Sequence, residues 1–263
     1  MEILVCVKRV PDTADAEVSL RPDGKGIREE DLAFGLNEWD NYAVEEAIRL
    51  KEKHGGSVTV ATIGGADSED VLRRCLAMGA DNAVMVDEGP FRGSDPYGVA
   101  KGLRAVAAKG SYDLVFAGTQ AGDDGYAMVG PILAAYLGWP HATLVTSVGV
   151  EGRSATVTRE LEGGLEETLK LALPAVLTIQ TGLNEPRYVS IMGIRKVRSK
   201  EIPVLGLGEL GIAPGEVGEN ANLLTVLALA QPPAGKEAEM LRGTPPEIAQ
   251  KILDLLKEKG GVM

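Results

Sequence analysis

Cysteine, histidine and aromatic side chains are scarce in this chain. Its 263 residues include two cysteines and two histidines, and only 4% of them are aromatic. Cys6 and Cys75 lie far apart in sequence, so we expect no disulfide framework, no clustered metal ligands and a reducing, cytoplasmic location. His54 and His141 have no candidate nucleophile beside them. These absences favour a binding or carrier protein over an enzyme.

Long apolar runs are also missing. No run approaches the roughly 20 residues that span a bilayer, and the amino terminus begins a strand without the features of a signal peptide, so we expect no direct membrane insertion. The net charge of −11 and the sequence pI of about 4.8 argue against nucleic-acid binding, which needs a basic surface. The segment 183–200 departs from this balance with five basic residues and one acidic residue.

Short apolar runs alternate with amphipathic segments along the first half of the chain. Strands are predicted at 2–10, 57–64, 82–87 and 112–118. A helix is predicted after each of them, and Asn37 is the expected cap of the first. Repeated strand–helix units are joined by right-handed crossovers, so the expected fold class is α/β, with an open and mostly parallel sheet flanked by helices.

The pattern changes after the fourth unit. Two β-rich runs surround the dipeptide 151–152, which predicts a β-hairpin added to the sheet, and Pro174 suits a strand start or edge. From residue 201 the chain is rich in glycine and proline and has too little apolar surface for its own core. We therefore predict an α/β domain over 1–200 and an extended C-terminal arm over 201–263, which packs on the domain or on a partner.

Two glycine-rich stretches are candidates for nucleotide binding. The G-x-G-x-x-G match at 206–211 has no helix after it, and it therefore lacks the helix amino terminus that binds a pyrophosphate. The loop 117–131 leaves the carboxyl end of the fourth strand, where open parallel sheets bind ligands, and a helix follows it. An ordinary strand-to-helix turn capped by aspartate explains the same residues. The loop also lacks a P-loop lysine, which would have favoured nucleotide binding. Spacing alone leaves both interpretations open.

Several longer segments are similar to one family. The stretch VTRELEGGLEETLKLALPAVLT resembles the signature of the beta subunit of electron transfer flavoprotein, and LNEPRYVSIMGIRKV resembles the segment that follows it. The segments VCVKRVPDT, AVEEAIRLKE and LAMGAD fit the same family, so the resemblance covers at least residues 1–200. It implies a Rossmann-like domain that binds an adenine nucleotide, with a C-terminal arm that wraps an alpha subunit.

The resemblance also implies cofactors and partners. In this family the alpha subunit holds a redox-active FAD, and the heterodimer carries electrons from dehydrogenases, acyl-CoA dehydrogenases above all, to a quinone oxidoreductase. The beta subunit binds a structural AMP. An electron-bifurcating form binds a second FAD in the same place and takes electrons from NADH. A stand-alone adenine-nucleotide-binding module is a third interpretation, although the hairpin and the arm weigh against it.

Matching the family's motifs residue by residue implies an AMP pocket between the first strand and the loop before the fourth helix. The phosphate is expected to bind backbone N–H groups, because nonpolar side chains stand at 127–129 where the animal form has polar ones. The implied pocket residues are Cys6, Asn37, Ile63, Gly64, Asp124, Gly125, Ala127, Met128 and Val129.

Three further positions match residues that face the alpha subunit. Thr13 and Trp39 correspond to positions near its flavin; the family often has an aromatic ring at the first, and Thr13 has none. Trp39 also suits a core position on its helix. Glu160 matches an acid that contacts the mobile flavin domain, and a solvated strand residue is the alternative.

The basic segment 183–200 matches a recognition loop whose tip inserts into a pocket on the dehydrogenase. Ile191 aligns with the anchoring position, and Met192 lies beside it. An apolar anchor with a charged rim is typical of docking sites, whereas an ordinary surface loop is the alternative. The basic residues of this rim are Arg195, Lys196 and Arg198.

Overall fold

Strands and helices alternate in a computed structural model that describes residues 1–13, 16–30, 32–233, 235, 238 and 240–260. The strands are β1 (Glu2–Cys6), β2 (Arg9–Pro11), β3 (Phe34–Leu36), β4 (Ser57–Gly64), β5 (Asn82–Asp87), β6 (Leu114–Gly118), β7 (His141–Glu151), β8 (Ser154–Glu160), β9 (Glu166–Ala172), β10 (Ala175–Ile179) and β11 (Val204–Leu205). The α-helices are α1 (Glu38–His54), α2 (Glu69–Met78), α3 (Pro96–Ala107), α4 (Val129–Leu137), α5 (Ile191–Val197), α6 (Leu207–Leu210) and α7 (Pro245–Glu258). Within the described ranges, no helix has the length and apolar character needed to cross a membrane.

A sheet of nine strands forms the centre of the described structure, in the order β11-β5-β4-β1-β6-β10-β7-β8-β9. Neighbouring strands from β11 to β7 are parallel, and β7, β8 and β9 form an antiparallel extension. The predicted α/β class, with a mostly parallel sheet and an added hairpin, is confirmed. The order of the chain reverses beside β1, because β4 and β5 lie on one side of it and β6 on the other. Open parallel sheets bind ligands at such a reversal.

The strand β1 is buried on both faces because helices cover both sides of the sheet. Ile3 and Val5 pack with α1 and α2, whereas Leu4 and Cys6 pack with α3 and α4. All four side chains are buried. An uninterrupted apolar run is what a strand in this position requires.

The first strand is shorter than the predicted span 2–10. The N–H of Lys8 donates to a carboxylate oxygen of Asp40 at 2.7 Å instead of continuing the ladder of β1. The chain then forms β2, which pairs antiparallel with β3 in a separate small sheet. The apolar run does not reveal this exit, because the acceptor that causes it lies on α1.

The first part of the predicted C-terminal arm packs on the domain. β11 pairs parallel with β5, and the side chains of Leu210, Ile212 and Val217 are buried in the core beside α3. The glycine match at 206–211 encloses only the short helix α6, and residues 211–218 directly after it form no helix, as predicted. Of the arm, positions 234, 236–237, 239 and 261–263 lie outside the described residues.

The segment 183–200 ends in a helix, although the sequence analysis treats it as a loop. Ser190 caps α5 by accepting a hydrogen bond from the N–H of Gly193 at 3.1 Å. The helix has only seven residues, and that length is too short to show a helical period in the sequence. Ile191 and Met192 therefore lie in the first turn of α5 rather than at the tip of a loop.

Candidate functional site

A cavity of about 500 Å³ lies at the carboxyl ends of β1 and β6, where the strand order reverses. Its walls come from β1, the end of β4, the segment before α3, α3 itself and the loop between β6 and α4. The cavity size falls within the range of small-molecule sites. The loop 117–131 contributes to this cavity, and its ligand-binding role stays a prediction.

Most of the residues predicted to form a pocket line this one cavity. Two of the predicted glycines do not line it: Gly64, the last residue of β4, and Gly125, in the loop between β6 and α4. A side chain at Gly64 would collide with Ser68, so this glycine allows a close turn. The predicted residues that line the cavity are Cys6, Asn37, Ile63, Asp124, Ala127, Met128 and Val129.

Asn37 occupies the predicted N-cap position of α1, but its side chain has a different role. Its side chain makes no capping hydrogen bond to α1. Instead, its Nδ2 donates to the carbonyl of Gln120 at 2.9 Å, and its Oδ1 accepts from the N–H of Gly122 at 3.1 Å. Asn37 is thus a buried clamp that fixes the start of the loop between β6 and α4.

Asp40 is a site residue that the sequence analysis missed. Its two carboxylate oxygens accept from the N–H of Lys8 at 2.7 Å and the N–H of Gly118 at 2.8 Å, so that it joins the ends of β1 and β6. A Cβ at Gly118 would lie 2.5 Å from this carboxylate and 2.6 Å from Trp39 Cβ, which explains the glycine. The sequence did contain a signal for its burial, because Asp40 lies on the same helix face as the buried Ala43 and Ala47.

The carboxyl group of Asp40 is only 5% exposed and lies against the cavity. Burial raises its pKa from 3.8 to about 7, although the backbone hydrogen bonds from Lys8 and Gly118 act in the opposite direction. The group therefore changes charge near neutral pH, at the wall of the proposed ligand site.

We expect the carboxyl carbon of Asp40 to titrate with a midpoint near 7, followed by carbon-13 NMR of aspartate-labelled protein. Between about pH 4 and pH 7 the folded protein keeps a proton on Asp40 that the unfolded chain has lost, so the free energy of unfolding should fall as the pH rises through this range. The Asp40→Asn variant should lack this contribution. A midpoint below 4 would contradict the expectation.

The inner part of the cavity is apolar. It is lined by Ile63 at the end of β4, by Phe91 before α3, and by Val99 and Leu103 on α3. The thiol of Cys6 belongs to the same wall, and burial, with a further contribution from Asp40, raises its pKa to about 12. Cys6 is therefore a neutral packing surface at physiological pH rather than a nucleophile. Such a wall suits a flat heterocyclic base.

The loop between β6 and α4 contains two residues with left-handed backbone conformations. Gly125 has φ = 61° and Ala127 has φ = 53°. These turns bring Met128 and Val129 to the cavity, where α4 begins. The first N–H groups of a helix have no partner within the helix, and they attract anions. The side chains at 127–129 are nonpolar, so only backbone N–H groups are available there to bind an anion.

Lys8 holds the same loop from the opposite side. Its Nζ lies 2.7 Å from a carboxylate oxygen of Asp123 and 2.7 Å from one of Asp124. Burial alone would lower the pKa of Lys8, but the two carboxylates raise it above its ordinary value. Lys8 is thus a charged tie for the loop, and its charge is neutralised there rather than available to a phosphate.

The left-handed backbone conformation of Ala127 should cost free energy, because residues with a side chain rarely adopt it. Replacing Ala127 by glycine should raise the free energy of unfolding by about 0.5 kcal/mol, because the side-chain penalty in this conformation exceeds the added entropy of the unfolded chain. The matched change Gly125→Ala should lower it by about 1 kcal/mol, since its Cβ meets no atom within 4 Å and only the backbone resists. Urea unfolding measures both, and equal signs would contradict the account.

Trp39 and Glu160 are brought together through Gln180. The Nε1–H of Trp39 donates to Gln180 Oε1 at 2.9 Å, and Gln180 Nε2 donates to a carboxylate oxygen of Glu160 at 3.1 Å. Gln180 follows β10 directly, and no motif indicated it. Thr13 is exposed and does not line the cavity. The structure thus joins two of the three residues that the resemblance assigns to the flavin side.

The end of the segment 183–200 presents an exposed apolar surface. Ile191 and Met192 are 72% and 69% exposed, and Tyr188, which the sequence analysis did not select, is 90% exposed. We call these three residues with Ile194 the α5 surface. Exposed apolar groups in one cluster indicate an interaction site more strongly than single ones. The exposed basic residues around it are Arg195, Lys196, Arg198 and Lys200.

The stem of this segment is held firmly on α1 and α2. Arg187 donates to the carboxylate of Glu45 at 2.9 and 3.0 Å and to that of Glu52 at 2.9 Å. Asn184 donates to Glu46 at 3.1 Å. The side chains of Arg187 and Asn184 therefore serve structure rather than docking. At the other end of the segment, Lys200 Nζ likewise donates to the carbonyl of Asp81 at 2.9 Å.

The carboxyl end of α5 is also fixed. Arg73 of α2 donates to the carbonyl oxygens of Val197 and Lys200 at 2.7 and 2.6 Å. These carbonyls belong to the last turn of α5 and the residues after it, where helices leave acceptors without partners. The α5 surface is therefore presented by a helix with both ends satisfied.

Comparisons with known proteins agree with this architecture. Residues 25–209 match the family model described as electron transfer flavoprotein domain. The chain is 38% identical over 265 residues to the electron transfer flavoprotein subunit beta of Methylophilus methylotrophus, covering 99% of this chain and 100% of the relative. It is 36% identical over 264 residues to the protein of that name from Bacillus subtilis, covering 100% of both, and 36% identical over 265 residues to that of Homo sapiens, covering 100% of this chain and 99% of the relative.

Proposed function

Because the chain belongs to the electron transfer flavoprotein beta-subunit family, we propose that it is the nucleotide-binding subunit of a heterodimeric electron carrier. The heterodimer accepts electrons from dehydrogenases, such as acyl-CoA dehydrogenases, on an FAD held mainly by the alpha subunit, and passes them to a quinone oxidoreductase. This chain supplies binding rather than catalytic groups. The observation that supports the proposal most is the convergence of seven predicted pocket residues on one cavity.

The proposed ligand of the cavity is AMP. The apolar inner wall would hold the adenine, Asp124 would lie near the ribose, and the backbone of 127–129 would bind the phosphate. A cavity of about 500 Å³ suits one mononucleotide, whereas a dinucleotide would have to extend out of it. A single phosphate also suits the site, because both cations of the lining are already paired with carboxylates. Lys8 lies against Asp123 and Asp124, and Arg92 against Glu88 at 3.1 Å.

The proposed partner of the C-terminal arm is the alpha subunit. Beyond Asn222 the arm carries exposed apolar side chains, among them Leu223, Leu227 and Met240, and α7 has no buried residue. Apolar surface of this extent favours burial against another chain. The exposed apolar residues of α7 are Ile252, Leu253, Leu255 and Leu256.

The proposed docking site for the dehydrogenase is the α5 surface. Ile191 would be the anchor, Met192 would lie beside it, and Arg195 and Lys196 would form the basic rim. The rim favours an acidic partner surface with an apolar pocket, because apolar anchors supply affinity and charges direct the encounter. Glu160 would contact the flavin domain of the alpha subunit, at the end of the hydrogen-bonded chain from Trp39.

Coexpression with an electron transfer flavoprotein alpha subunit tests the function. We expect a heterodimer whose FAD is reduced by an acyl-CoA dehydrogenase with its substrate and reoxidised by a quinone oxidoreductase, followed by flavin absorbance. A chain that remains a monomer or homodimer beside the alpha subunit and binds ATP would contradict the proposal and favour the stand-alone module. Reduction by NADH, with a second FAD bound, would favour the bifurcating form.

A further inference from the structure

Asp95, which lies between the cavity-lining residues Ser94 and Pro96, connects the start of α3 to the place where the exposed part of the C-terminal arm begins. One carboxylate oxygen caps α3 by accepting from the N–H groups of Tyr97 and Gly98 at 2.9 and 3.1 Å. The other accepts from the N–H groups of Leu223 and Leu224 at 2.7 and 3.0 Å. Asp95 is buried, and these four hydrogen bonds hold its pKa below the usual value against the opposing effect of burial. One charged side chain thus serves two segments that are distant in sequence.

The neighbours of Asp95 strengthen the same junction. Asn222 Oδ1 accepts from the N–H of Asp95 at 2.8 Å, and Asn222 Nδ2 donates to the carbonyl of Gly93 at 2.8 Å. The N–H of Gly218 donates to Ser94 Oγ at 2.8 Å. A helix cap needs none of these bonds. They hold the chain that leads into the arm.

The character of the chain changes at this junction. Before it, Leu210, Ile212 and Val217 are buried in the domain, whereas Leu223 and Leu227, after it, are largely exposed. Farther along, the N–H of Leu229 donates to the carbonyl of Gly24 at 2.7 Å, which continues the arm across the surface. The junction therefore fixes both the place and the direction in which the apolar arm leaves the domain.

We propose that Asp95 is a positioning residue for assembly with the alpha subunit, because it fixes the root of the C-terminal arm before the partner binds. The proposal rests on the proposed function, which makes the alpha subunit the partner of this arm. An arm whose root is already fixed loses less conformational entropy when the alpha subunit binds, and the affinity is therefore higher. The charged acceptor suits this role because hydrogen bonds to a carboxylate are stronger than those between neutral groups.

The variant Asp95→Ser separates the two roles of the side chain, which caps α3 and binds the backbone of the arm. Serine caps helices about as well as aspartate, so its single oxygen should keep the N–H groups of Tyr97 and Gly98 bound, while Leu223 and Leu224 lose their acceptor. Asn222→Ala is a second variant that removes arm contacts and leaves the cap intact. Asp113→Ser is the matched control. It removes a carboxylate that accepts the backbone N–H of Glu2, and Asp113 lies just before β6, at the end of the sheet away from the cavity.

Binding of the alpha subunit to each immobilised variant measures the effect. We expect Asp95→Ser and Asn222→Ala to weaken binding about tenfold, chiefly through faster dissociation, and Asp113→Ser to bind like the wild type. The melting temperature and AMP content of the free variants should stay unchanged. Hydrogen exchange should be faster at the amides of Leu223 and Leu224 in Asp95→Ser but not at those of Tyr97 and Gly98.

The outcomes distinguish this proposal from the one it rests on. Wild-type affinity in both arm variants, with faster exchange at Leu223 and Leu224, would overturn the positioning role while leaving the function intact. If Asp95→Ser fails to fold, the affinity of Asn222→Ala for the alpha subunit, together with its exchange at Leu223 and Leu224, decides whether the positioning role stands. Absence of binding between the wild-type chain and any alpha subunit would overturn the proposed function and this inference with it.

Discussion

Replacing Ile191 by aspartate is expected to slow reduction of the heterodimer by its dehydrogenase about 100-fold at limiting dehydrogenase. Ile191 is 72% exposed in the first turn of α5, so the change removes little internal packing. An apolar anchor in a partner pocket commonly contributes about 2 kcal/mol or more, which is roughly 30-fold, and the desolvation cost of a charge in that pocket supplies the remaining factor. The initial rate of flavin reduction measures the loss.

The FAD and AMP content of the Ile191→Asp heterodimer should remain that of the wild type. Tyr136→Asp is the control, since Tyr136 is 38% exposed on α4, which covers the opposite face of the sheet from α1 and α2. It should leave the rate unchanged. A wild-type rate for Ile191→Asp would refute the docking role, and an equal loss in both variants would assign the effect to net charge rather than to the α5 surface.

Replacing Val99 by tryptophan is expected to weaken AMP binding at least about 100-fold, since the site then lacks room for a base. Val99 lies on α3 and contributes to the apolar wall of the cavity. The larger ring would extend into existing space, so the free energy of unfolding of the ligand-free protein should change by less than about 1 kcal/mol. Isothermal titration with AMP measures the affinity, and urea unfolding measures the stability.

The control for Val99→Trp makes the same change outside the cavity. Val204 lies on the edge strand β11, is half exposed and does not line the cavity, so Val204→Trp should bind AMP like the wild type. Unchanged AMP affinity in Val99→Trp would place the nucleotide elsewhere. A loss in both variants, with reduced stability, would indicate a general packing defect instead.

Much of the sheet follows from local patterns in the sequence. β1 and β4 are predicted because apolar runs bounded by turns are typical of strands covered on both faces. The strand-to-helix loop after β6 is predicted because parallel sheets expose their carboxyl ends in this way. Cys6, Ile63 and Asp124 therefore come together as the topology requires, even though they are distant in sequence.

The parts that could not be predicted depend on side chains that bind another element's backbone. Asp40 ends β1 by accepting from Lys8, and Asn37 holds the loop at Gln120 instead of capping its own helix. Asp95 has a helix-cap signature, which conceals its second pair of hydrogen bonds to the arm. Sequence reasoning assigns each such residue to its local element, because local spacing carries no signal from the distant partner.

The docking segment illustrates a second limit. The sequence predicts a basic rim of three residues after Ile191 and assigns no role to Arg187. Arg187 is bound to Glu45 and Glu52 within the domain. The excess of positive charge thus divides between a structural stem and the exposed rim of α5. Tyr188 was missed because a single tyrosine in a loop has no pattern, and only its exposure reveals it.

The nucleotide content of the purified heterodimer shows whether this chain is the AMP-binding subunit. The ligands released by denaturation can be identified and counted by chromatography against FAD and AMP standards. We expect one FAD and one AMP per heterodimer, with the AMP retained by this chain when the subunits are separated. Two FAD molecules and no AMP, or no nucleotide in this chain, would contradict this expectation.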